Sequence, residues 1–231
     1  MPVYGRLCHR RVRRLADKME MNLTDEEKLV LYALGAPGHS PLRNKIMIQK
    51  LLFLFSNAVA GFKELLRYEP HRTGPYSETV ENTLQNLIRL GMITNRTGGY
   101  RLTPEGERIF DRLVSEKCAK KLNGAPLEWV EREARIYIPH DKKEIIRVLS
   151  DFKEFLHDLS DDEILAFVYS SYPDFISESA FWENIKPRRV ELAISLLKRQ
   201  KVSFSKAAQV ADRPAGDFER ILREKKVRWR K

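Results

Sequence analysis

The stretch RLGMITNRTGGYRLTPEGERIF, residues 89–110, decides the fold. It begins at the end of an amphipathic segment whose apolar positions Val80, Leu84, Leu87, Ile88 and Leu90 recur at helical spacing, and Gly91 stops that helix. Met92 to Asn95 and Tyr100 to Leu102 alternate as short strands, and Arg96-Thr97-Gly98-Gly99 between them supplies the glycines that a tight hairpin turn at positive φ requires. Thr103-Pro104-Glu105 then opens a further helix with a capping threonine, an N1 proline and an acidic first turn, and Ile109, Phe110, Leu113 and Val114 lie on one face of it.

Upstream, Thr24-Asp25-Glu26-Glu27 reads as a capping box at the head of a helix bearing Leu29, Val30, Ala33 and Leu34. GAPGHSP (35–41) ends it, with Pro41 expected at the start of the next helix. Residues 42–60 carry Ile46, Ile48, Leu51, Leu52, Phe55 and Val59 as a long buried helix. A loop at His71-Arg72-Thr73-Gly74-Pro75 leads to Ser77, which caps the helix before the hairpin. The order helix, helix, helix, hairpin, helix predicts a mainly α protein with a small β-hairpin wing, a winged helix-turn-helix domain over 24–122 followed by an all-α C-terminal region.

Around that domain the charge is uneven. The net charge is +10, yet residues 141–185 carry four basic and eleven acidic groups, whereas residues 186–231 carry fifteen basic and five acidic ones and residues 1–20 six basic and two acidic. These blocks suggest a basic N-terminal arm (1–23), a connector (123–140), an acidic helical region (141–185) and a basic helical segment (186–231). A polyanionic partner suits such a balance, and so does contact between the oppositely charged blocks. The N-terminus has no apolar core of the signal-peptide kind, and Gln49, Lys50, Ser56 and Asn57 interrupt the most apolar stretch, Ile46 to Ala60. Cys8 and Cys118 form no CxxC pair. Together these features predict a cytoplasmic protein without a membrane partner.

A helix that enters a DNA major groove needs short polar side chains and arginines on its outer face. Residues 76–90 offer Ser77, Thr79, Asn82, Thr83, Gln85, Asn86 and Arg89, and the hairpin adds Arg96, Thr97 and Arg101. The competing reading makes these the solvent side of an amphipathic helix, which Glu78 and Glu81 favour because carboxylates oppose phosphates. The run YRLTPEG (100–106) with its preceding strand and basic turn resembles the wing of MarR-like and PadR-like regulators. That resemblance implies a DNA-binding regulator dimerising through helix 103–122. The segments KIMIQKLLFLFS (45–56) and YEPHRTGPYSETVENTLQNLIRLGMI (68–93), with the turn Gly74-Pro75-Tyr76, resemble the Panacea (SocA-like) domain, which implies an antitoxin or partner-binding role.

The C-terminal FSKAAQVADRPAGDFERILR (204–223) places Ala207, Ala208, Ala211, Phe218 and Ile221 where a helix-turn-helix needs small or apolar residues. Asp212 stands at the turn position that usually holds glycine, and Arg213 where an apolar residue is usual; aspartate tolerates left-handed backbone better than most residues. With its lead-in RRVELAISLLKRQKVS (188–203), the segment resembles small prokaryotic antitoxin-like partners of PIN-domain ribonuclease toxins. The resemblance implies DNA binding by a second helix carrying Pro214, Ala215, Asp217, Arg220 and Arg223, with Arg213 before it. Two arrangements remain open for residues 186–231: a DNA-gripping element, or a basic cap docked on the acidic block.

No constellation for catalysis stands out. His9, His39, His71, His140 and His157 are scattered, without HExxH or zinc-ligand spacing, and no phosphate-binding glycine loop or GxSxG occurs. Asp158, Asp161, Asp162 and Glu163 read as the acidic start of a helix, opened by Ser160-Asp161-Asp162-Glu163, rather than as a metal cluster. Tyr169, Tyr172, Phe175, Phe181 and Trp182 read as core, with a protein-docking groove as the other option. The expectation is a non-enzymatic protein without cofactor that binds duplex DNA as a homodimer, regulating transcription or acting as an antitoxin. A module that sequesters a toxin through residues 141–185 is the alternative.

Overall fold

The computed structural model describes residues 23–96, 99–115 and 142–229. Residues 1–22 of the basic arm, the connector, Thr97, both cysteines, His9 and His140 lie outside them. The chain forms α1 (Asp25–Gly35), α2 (Lys45–Ala58), α3 (Phe62–Leu66), α4 (Glu78–Arg89), β1 (Ile93–Thr94), β2 (Arg101–Leu102) and α5 (Pro104–Ser115). After the connector come α6 (Lys142–His157), α7 (Asp161–Ser171), α8 (Trp182–Ile185), α9 (Arg189–Lys198), α10 (Phe204–Ala211) and α11 (Ala215–Glu224). Single 3-10 turns cover Pro173–Phe175 and Lys186–Arg188. The protein is thus mainly helical with one small antiparallel hairpin.

Helix ends follow local chemistry. Thr24 and Ser160 complete reciprocal capping boxes with Glu27 and Glu163, while Asn44, Ser77 and Ser203 cap α2, α4 and α10 with their side-chain oxygens. The expected helical start at Pro41 is not taken. Leu42 instead exchanges both backbone hydrogen bonds with Tyr100, at 2.9 and 2.7 Å, and α2 begins at Lys45. This bridges Leu42 to the residue before β2, while β1 and β2 pair Ile93 with Leu102 and Thr94 with Arg101. Gly99, at φ +95°, makes the approach possible, because a Cβ there would collide with the backbone of Leu42 and Arg43. Gly106 lets α5 lie flush on the base of the hairpin, where a Cβ would strike the Met92 carbonyl.

One buried cluster runs from Leu23 to Val227, so the charge blocks do not mark separate cores among the described residues. α6 packs on α1 and α2, α7 on α2, α9 and α10 on α7, and α11 on α10. Tyr169 is buried, and Tyr172, Phe175, Phe181 and Trp182 are half-buried against the cluster. Phe53 receives Tyr172 and Phe175 edge-on, each with ring centroids 4.9 Å away.

Two lysines are buried in this core. α1 ends without a basic residue in its last turn, and Lys153 of α6 supplies the missing cation. Its Nζ donates to the carbonyls of Ala33 at 3.1 Å and Leu34 at 3.0 Å, and also to that of Ala36. Lys50 of α2 donates to the Pro75 carbonyl at 2.7 Å. Burial pushes each of these ammonium groups down to about 7.

Candidate nucleic-acid interface

The approach to α4 is held from below by polar residues of α2. Gln49 donates to the Ser77 carbonyl and accepts from the Ser77 amide, both at 3.0 Å, as a neighbouring strand would. Tyr68 donates to the Gln49 carbonyl at 2.8 Å. Within the 69–76 loop, Glu69 and Tyr76 pair through their backbones, His71 stacks on Tyr76 at 4.5 Å, and a Cβ on Gly74 would meet the Tyr169 ring. The interruption of an apolar helix by Gln49 and Lys50 was the available sequence signal for this clamp.

Fixed in this way, α4 turns Val80, Leu84 and Leu87 into the core and leaves Glu78, Asn82, Gln85 and Arg89 exposed in one stripe, with Thr79 and Asn86 half-buried beside it. Two of the expected base-contacting residues are internal. Ser77 is fully buried: its hydroxyl donates to the Leu66 carbonyl while serving as the cap that accepts from Val80 N. Thr83 is buried and donates to the Thr79 carbonyl at 2.8 Å. Both hydroxyls are therefore spent on the backbone.

The remaining polar residues form two short networks. Glu81 accepts from Lys45 at 2.8 Å and from Gln85 at 3.1 Å, and its carboxylate holds the Lys45 ammonium above the ordinary lysine value. Asn86 donates to Glu27 of α1 at 2.5 Å and accepts from Arg89 at 2.6 Å. Lys45 and the Glu27 contact are additions that periodicity could not supply, since their partners lie on other helices. Beyond α4, the Met92 amide donates to the Leu87 carbonyl and carries the chain directly into the hairpin, where Arg96 and Arg101 are exposed.

Of the two arrangements left open by the sequence, the structure shows the docking of the C-terminal helices on the acidic block. α9 and α10 dock on α7, where Gln209 donates to the Ser170 carbonyl at 2.8 Å and Arg188 pairs with Asp162, and Lys201, between α9 and α10, donates to the Glu154 carbonyl of α6. Asp212 adopts the left-handed conformation, φ 55° and ψ 49°, and pairs with Arg189 at 3.0 Å. Ala207, Ala208 and Ala211 of α10 are buried, and α11 inserts Phe218 and Leu222 into the same core. Its outer side exposes Gly216, Arg220 and Arg223, with Arg213 in the preceding turn. Arg220 pairs with Asp217 at 3.0 Å and Arg223 with Glu219 at 2.8 Å.

The described part of α5 turns Ile109, Phe110 and Leu113 inward, with the Phe110 ring against Gly35 and Tyr32. Within helix 103–122, through which a dimer was expected, this apolar face is used inside the chain as far as Ser115. Among the described residues no helix is long and apolar enough to cross a membrane, and no group of three His, Cys, Asp or Glu side chains is placed to hold a metal ion. No family model, no curated protein and no solved structure matches this chain.

Proposed function

We propose that this chain is a winged-helix protein that binds duplex DNA, acting as a transcriptional regulator or as an antitoxin that occupies an operator. In this reading α2 and α4 are the helix-turn-helix pair, the β1–β2 hairpin bridged by Leu42 is the wing, and α4 lies in the major groove. The observation that carries it is the division of labour on α4. Its other faces are consumed in the core, while one polar stripe ending in Arg89 stays exposed and runs straight into a hairpin bearing Arg96 and Arg101. Asn82, Gln85 and Arg89 supply base-edge contacts, Thr79 flanks them, and Arg96 and Arg101 supply phosphate contacts. Arg213, Arg220 and Arg223 at α11 add a second, basic contact. Steric occlusion of an operator is the mechanism that needs no further chemistry.

A toxin-sequestering role for residues 141–185 finds less support, because much of that acidity serves the protein itself. Asp161 takes Arg43 at 2.6 Å and Asn44 at 2.8 Å, Asp162 pairs with Arg188, and Glu163 closes the cap of α7.

The test is a titration of the protein against its own upstream DNA and a scrambled duplex of equal length, at about 50 and about 200 mM salt. Tighter binding to its own DNA with a steep salt dependence on both supports the proposal, and no binding to either at low salt refutes it. Arg96→Ala with Arg101→Ala is expected to weaken both duplexes alike and to reduce the salt slope by about two.

A further inference from the structure

Asn86 links two helices through hydrogen bonds of opposite sense. Its amide nitrogen donates to Oε1 of Glu27 on α1, 59 residues away, and its amide oxygen accepts from a terminal nitrogen of Arg89. Glu27 is itself buried, and its second oxygen accepts from the Thr24 amide at 2.9 Å. A guanidinium offers only donors, so the amide of Asn86 turns its oxygen toward Arg89 and its NH2 toward Glu27. The polarity of the relay is thus fixed by the donor-only chemistry of Arg89.

The consequence falls on Arg89, the last residue of α4 and the only cation on its exposed stripe. An unsupported surface arginine samples many rotamers and loses that freedom on binding. Here one guanidinium nitrogen is tied to a side chain that is tied to the core. The planar fork keeps further donors, enough for the two parallel hydrogen bonds that guanine O6 and N7 accept in the major groove.

We infer that Arg89 reads a guanine in the bound duplex, and that Glu27 and Asn86 are positioning residues that set the orientation in which it does so. This rests on the duplex-binding reading above. It assigns to Asn86 a role different from base contact, since both ends of its amide are already engaged inside the protein.

The test uses the full chain and a pool of randomised duplexes, sequenced after selection to give a base profile. The wild type is expected to require guanine at one position per bound unit by about tenfold or more over other bases. Arg89→Lys keeps the charge but not the fork, and flattens that position. Asn86→Ala flattens it by removing the support. Glu27→Gln does so as well where the capping box is kept: its one accepting oxygen then serves the Thr24 amide, and its NH2 faces Asn86, which loses its acceptor or reverses and points its NH2 at Arg89. The combined variant Glu27→Gln with Asn86→Asp restores the relay with reversed polarity, glutamine donating to aspartate and aspartate accepting from Arg89, at unchanged net charge. Guanine discrimination is expected to return in it.

Thermal melting of each variant reports whether the capping box of α1 has survived. Melting temperatures matched to the wild type, with an unchanged guanine requirement in Arg89→Lys and Asn86→Ala, overturn the inference and leave the duplex-binding reading standing. A folded double variant that stays flat overturns the relay alone. A wild type that binds no duplex overturns both.

Discussion

Lys153 shows how much one side chain of the acidic block contributes to the N-terminal helices. Its ammonium satisfies carbonyls at the end of α1 that have no other basic partner in that turn, across 120 residues of sequence in the case of Ala33. Replacement by methionine keeps much of the volume but leaves those carbonyls without a donor. Lys153→Met is expected to cost about 2–4 kcal/mol, read by urea denaturation. Lys153 and Lys50 have folded-state values of about 7 against an ordinary 10.5. Between those pH values the unfolded chain binds more protons than the folded one, so stability rises with pH across that window and levels off below it. Unfolding measured at several pH values from about 6 to about 10 is expected to show that slope, and Lys153→Met is expected to lose its share of it.

Among the elements, the turn between α10 and α11 and the seat of α5 are both set by single residues. Asp212 holds a left-handed conformation and gains a partly compensating ion pair with Arg189. Asp212→Val is expected to cost about 1–2 kcal/mol because a branched side chain resists that conformation, whereas Asp212→Gly is expected to fall within about 0.5 kcal/mol of the wild type. Gly106→Ala places a methyl against the Met92 carbonyl and is expected to cost about 1–3 kcal/mol while loosening the base of the hairpin. Denaturant midpoints of the purified variants check all three. The capping boxes at Thr24 and Ser160 and the buried alanines of α10 were legible in the sequence, since each depends on a few consecutive residues. The segment at Leu42 was not: its pairing with Tyr100 depends on a partner across the fold, and the adjacent proline imitates a helix start.

At the scale of the whole molecule, the continuous core predicts that the helices on either side of the connector unfold together. Far-ultraviolet circular dichroism reports helix along the entire chain, and Trp182 and Trp229 report from the C-terminal half, Trp229 stacking on Phe204 at 5.9 Å. The two signals are expected to trace one coincident urea transition. Two separated transitions would mean that α9–α11 hold a core of their own and only rest against α7. The ion pairs across that contact, Arg188–Asp162 among them, are largely exposed and add little; the shared apolar burial is the reason for the expected cooperativity.

The sequence alone carried the long helices α1, α4 to α7 and α9 to α11, the capping boxes at Thr24 and Ser160, the hairpin and the tolerance of Asp212 for a left-handed turn, because each follows from periodicity, capping chemistry or backbone freedom within a few residues. The short α3 and α8 and the Asn44 cap of α2 came only from the structure. The sequence also marked α4 as the polar face to consider. Only the tertiary structure decided which of those polar groups remain outside. Ser77 and Thr83 satisfy backbone carbonyls, Asn86 is shared between Glu27 and Arg89, and Asn82, Gln85 and Arg89 stay exposed. The physical reason is that a buried donor must find an acceptor, and the nearest one in space can belong to another helix far away along the chain.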